Sequence, residues 1–65
     1  VSRPYYTLVE LEDSGWSIRF GDYFKSVVRT ELEDAVYSGT PRKRLRIIQS
    51  GDLQSEIEQA VRQLP

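Results

Sequence analysis

The 65-residue chain contains no cysteine, histidine or methionine, and only three prolines and four glycines. Without cysteine there is no disulfide framework, no thiolate metal site and no thiol nucleophile. Without histidine the commonest proton shuttle at neutral pH is missing, and the serines and threonines lack the usual base that would activate them. No apolar run approaches the roughly 20 residues of a membrane helix. The opening Val1-Ser2-Arg3-Pro4 has none of the apolar stretch of a signal peptide. Neither a glycine-rich phosphate loop nor a calcium-loop pattern occurs. Nine basic and ten acidic residues leave a net charge of −1, so there is no global attraction to nucleic acid or to acidic lipid, and any electrostatic recognition is local. These absences point to a non-enzymatic protein of the cytoplasm, with no cofactor, no metal, no membrane attachment and no small-molecule substrate.

What the chain does contain is the pattern of one small α+β domain over residues 1–65. A core of this size supplies only about 3–5 kcal/mol, so a second copy of the chain is a candidate source of further stability. YYTLVEL, about residues 5–11, is rich in aromatic and β-branched side chains. In WSIRF, about 16–20, Trp16, Ile18 and Phe20 alternate with Ser17 and Arg19. Turn formers from Glu12 to Gly15 join these two strands into an antiparallel hairpin. Asp22 is placed to cap a helix over about 23–38, whose stripe is Phe24, Val28, Leu32, Ala35 and Val36. Gly39 suits the left-handed position beyond it, and Pro41 prevents continuation. RLRIIQ, about 44–49, is a third strand. Asp52 is then placed to cap a second helix over about 53–64, with Leu53, Ile57, Ala60, Val61 and Leu64 on one side.

The element order is therefore β-β-α-β-α. A helix between the second and third strands predicts that they run parallel, giving a three-stranded mixed sheet with two helices packed on one face. The other face would then be open.

Two features stand out as candidate contacts. Arg42, Lys43, Arg44 and Arg46 place four of the nine basic residues within five positions, a candidate contact for a partner or for nucleic-acid phosphates. Their plainer role is to offset Glu31, Glu33 and Asp34, which are unfavourably placed near the negative end of the first helix's dipole. The first strand carries apolar side chains on both faces. With Val9 and Leu11 inward, the open face holds Tyr6 and Leu8 beside Arg19, Arg44, Arg46 and Ile48; the opposite register exposes Tyr5, Val9 and Leu11. Such a surface suits a protein partner, a homodimer or stacked single-stranded bases, unless Tyr23 and Tyr37 cover it. Trp16 is expected in the core. The carboxylate pairs Glu31 and Asp34, and Glu56 and Glu58, fall on polar helix faces, where solvent keeps them ordinary.

The segments YYTLVE, WSIRFGDY, RLRII and IEQAVRQL together resemble small, mostly uncharacterised proteins encoded by bacteriophages and prophages. That resemblance implies the β-β-α-β-α order, a location inside a bacterial host cell and an accessory protein acting by binding. It carries no functional residue with it. The resulting expectation is an interaction module for a protein partner. The competing expectation is a nucleic-acid-binding protein using the 42–46 segment on phosphates and Tyr5 or Tyr6 for stacking.

Overall fold

A computed structural model describes residues 3–65; Val1 and Ser2, part of the opening segment searched above for a signal-peptide stretch, lie outside the described residues. Strands β1 (Pro4–Glu12) and β2 (Gly15–Asp22) are followed by helix α1 (Lys25–Tyr37), a short 3-10 turn (Arg42–Arg44), strand β3 (Leu45–Gly51) and helix α2 (Gln54–Arg62). The order anticipated from the sequence is present, with each strand longer and each helix shorter than expected.

The sheet order is β2-β1-β3, and β1 is antiparallel to both neighbours. The expectation of a mixed sheet is thus corrected. β2 and β3 do share a direction, but β1 lies between them, so no two neighbouring strands are parallel. The physical reason is in β1 itself. Thr7, Leu8 and Val9 are all buried, and a strand that is apolar on both sides is best placed at the centre with both sides covered.

Consecutive residues of a strand point to opposite faces, so burial of both Leu8 (1% exposed) and Val9 (0% exposed) requires cover on each side. Leu8 lies between Phe20 and Ile47 and packs with Leu45 and with Val28, Leu32 and Ala35 of α1. Val9 lies between Ile18 and Arg46 on the opposite face. There α2 runs along β3 and reaches β2, with Ile57 as its buried residue. The two helices therefore cover opposite faces, where a single covered face was expected. Fully burying one such aliphatic side chain contributes about 1.5–3 kcal/mol, so a face left open over Val9 would forfeit that amount.

A β-bulge corrects the reading of β2. Leu8 pairs with Phe20 and Val9 with Ile18, so Arg19 is the extra residue and the alternation reverses there. Trp16 and Ile18 stay on the α2 face, while Phe20 moves to the α1 face against Leu8.

Helix ends also differ from expectation. Asp22 still belongs to β2, opposite Tyr6; its carboxylate accepts from the Phe24 amide at 2.8 Å, turning the chain before the helix, and Phe24 occupies the cap position. Asp52 does not cap α2. Leu53 is the cap residue, and its amide donates to the Glu56 carboxylate at 3.4 Å. Both cap residues were expected on apolar stripes, yet Phe24 is 67% and Leu53 59% exposed, because each precedes the turn at which its helix meets the sheet. Gly39 behaves as expected: at φ 114° it lets its own amide reach the Val36 carbonyl and the Thr40 amide reach the Ala35 carbonyl.

Candidate interaction surfaces at the two ends

The antiparallel pairing sorts the chain into two ends. At one end lie the start of β1 and the ends of β2 and β3, since Tyr6 faces Asp22 and Pro4 faces Gly51. Both helices begin there. At the other end lie the β1–β2 turn, the last turn of α1, the 3-10 turn and the start of β3.

The first end is aromatic and apolar. Tyr23 donates from its hydroxyl to the Asp52 carboxylate at 2.8 Å, tying the loop before α1 to the loop before α2. Its ring meets Tyr5 edge-on at a centroid distance of 5.0 Å, and the Arg3 guanidinium sits over it at 4.5 Å. The hydrogen bond to Asp52 raises the Tyr23 pKa above its ordinary value, helped by partial desolvation and by the carboxylate's charge and opposed by Arg3. Phe24 and Val27 are three residues apart at the start of α1, on one side of the helix. Phe24, Val27, Tyr23 and Leu53 are all exposed.

The second end is basic and polar. Arg42, Lys43 and Arg44 are exposed in the 3-10 turn. Arg44 donates to the Leu11 carbonyl at 3.4 Å, and Arg46 lies over the Trp16 ring at 5.2 Å. Among the described residues no salt bridge joins any of these four to a carboxylate; the ion pairs formed are Arg19–Glu10 at 2.9 Å and Arg62–Glu58 at 3.8 Å. Tyr37, in the last turn of α1, is 92% exposed. Trp16, expected in the core, is half-buried on the α2 face, donating its indole N–H to the Pro65 carbonyl at 3.0 Å.

The candidate sheet contacts do not come together. Leu8, expected on an open face, is in the core; Tyr6 packs against the same cluster. Ile48 pairs with Thr7 and so lies on the α2 face, opposite Leu8. Arg19 is exposed, but it sits at the bulge, bonded to Glu10 and to the Thr40 hydroxyl at 3.4 Å. The residues missed were the two exposed cap positions, Phe24 and Leu53. Their signal was their place immediately behind Asp22-Tyr23 and Asp52, where a helix has not yet turned onto the sheet.

A shallow depression of about 220 Å³ between the bulge and α1 is lined by Arg19, Glu31, Asp34 and Ser38 among others, below the roughly 300–1,000 Å³ of typical ligand pockets. Among the described residues no group of three or more His, Cys, Asp or Glu could hold a metal ion, and no helix is long and apolar enough to cross a membrane. The fold and its surfaces define a small α+β domain. No protein-family model, curated protein or solved structure matches the chain.

Proposed function

We propose that the chain is a non-enzymatic interaction module that binds a protein partner through its apolar end, at Tyr23, Phe24, Val27 and Leu53. The carrying observation is Phe24, 67% exposed at a helix cap that is otherwise unbonded through its side chain. Among the described residues seven large apolar side chains are exposed, and four of them, Tyr23, Phe24, Val27 and Leu53, lie at the two helix starts. Isolated exposed apolar residues are ordinary; the grouping of these four around two helix starts that Tyr23 and Asp52 hold together is the mark of a contact surface. The phage-type sequence pattern favours a small accessory protein working in a bacterial cytoplasm.

The test is capture from bacterial lysate on immobilised protein, comparing wild type with the double variant Phe24→Ser/Leu53→Ser. Both positions are exposed, so the variant should keep its fold and lose a specific partner that the wild type retains. Sedimentation over a concentration series, run in parallel, shows whether that partner is a second copy. Identical capture by both proteins, with both monomeric throughout, would rule out docking at this end.

A further inference from the structure

The basic end presents a different chemistry, independent of partner docking at the apolar end. Arg42, Lys43 and Arg44 form one turn of 3-10 helix, all three exposed. None is paired with a carboxylate among the described residues, although Glu31, Glu33 and Asp34 lie in the second half of α1 and Glu12 and Asp13 in the turn at the same end. The expectation that this run simply offsets local acid is therefore not expressed as ion pairs. Arg44 and Arg46 are instead held by uncharged groups, the Leu11 carbonyl and the Trp16 ring, which position their guanidinium groups without neutralising them. Tyr37 stands at the same end, almost wholly exposed.

Cations that track a phosphate backbone beside an exposed aromatic ring are the two parts of a surface for single-stranded nucleic acid. Duplex recognition needs an element that enters a groove or a long basic strip. Here the charge is confined to one turn and the first residues of β3, between the acidic Glu12–Asp13 turn and the acidic second half of α1. A short stretch of single strand suits that area. We propose that the end built from the 3-10 turn and the last turn of α1 binds single-stranded nucleic acid, with Arg42, Lys43 and Arg44 on phosphates and Tyr37 as a stacking platform for a base.

Fluorescence anisotropy with a labelled oligothymidylate tests this, with a duplex of equal length and polyglutamate as comparisons, at low and at physiological salt. For three phosphates the single-strand affinity should fall with a log–log salt slope near −2, at roughly −0.7 per phosphate. Arg42→Ala/Lys43→Ala should weaken binding by about tenfold or more and reduce the slope by about 1.4. Tyr37→Ala should weaken it about fivefold or more with the slope unchanged, and Phe24→Ser, at the opposite end, should leave it as it was. No binding at low salt would overturn the proposal. So would a duplex or polyglutamate binding as tightly as the single strand, since either would reduce the surface to a general polyanion patch.

Discussion

Thr7 sits 1% exposed on the α2 face of the central strand, and its hydroxyl has no hydrogen-bond partner among the described residues. A buried hydroxyl in that state costs about 1–3 kcal/mol. Thr7→Val keeps the shape and removes the polar atom, so it should raise stability by about 1 kcal/mol, read as a higher urea midpoint with an unchanged slope. Leu8, directly beside it, is the opposite case. Leu8→Ala leaves a cavity between Phe20, Ile47 and α1 and should cost about 2–5 kcal/mol, comparable to the whole stability expected of so small a core, so the variant should be largely unfolded by circular dichroism. Tyr23 offers a pH test. Its folded pKa is raised by the bond to Asp52, so the bond's stabilisation is complete below the ordinary tyrosine value and is lost as pH rises through the higher folded value. An NMR titration should show Asp52→Ala bringing the Tyr23 ionisation back down.

Single residues were the least legible part of the chain. The Val28, Leu32 and Ala35 stripe followed from spacing alone, whereas Phe24 and Leu53 fit their stripes equally well and are exposed. Helical periodicity records the side of a helix but not the turn at which it leaves the sheet. Arg42, Lys43, Arg44 and Arg46 could be read as a cluster because they are local in sequence. The Trp16 ring beneath Arg46 could not, because it depends on β1 separating β2 from β3.

Among the elements, β1 governs the arrangement. Its apolar residues on both faces were visible in YYTLVEL and suggested an uncovered surface; they reflect instead a central strand with a helix on each side. The bulge at Arg19 was hidden, since WSIRF alternates without interruption and only pairing with β1 reveals the extra residue. Helix α2 is short and has one buried residue, Ile57, yet it covers the face that holds Thr7 and Val9. Ile57→Ser should therefore destabilise the domain by about 2 kcal/mol or more, where a helix resting loosely on an already covered face would tolerate the change. Gly39→Ala should cost about 1 kcal/mol, because φ 114° is strained for any residue with a Cβ. Gly21 carries a different constraint. A Cβ there would collide with the Tyr5 ring, so Gly21→Ala should be destabilising and Tyr5→Ala should relieve part of that loss.

At the scale of the whole molecule, the two helices cover the centre of the sheet on both faces, with Leu11 and Ile18 still exposed beside α2, and the two ends, one apolar and one basic, are the proposed contact surfaces. Partner binding at the first and nucleic-acid binding at the second are separable by variant, because Phe24 and Arg42 belong to opposite ends of β1's neighbours. The most direct measurement is site-specific photo-crosslinking in bacterial cells, with a benzoylphenylalanine placed in turn at Phe24, at Tyr37 and at the exposed Gln59 midway along α2. A discrete protein adduct from position 24, absent at 59 and not shared with 37, is the predicted result. No protein adduct at 24, or the same adducts from all three positions, would contradict docking through the apolar end.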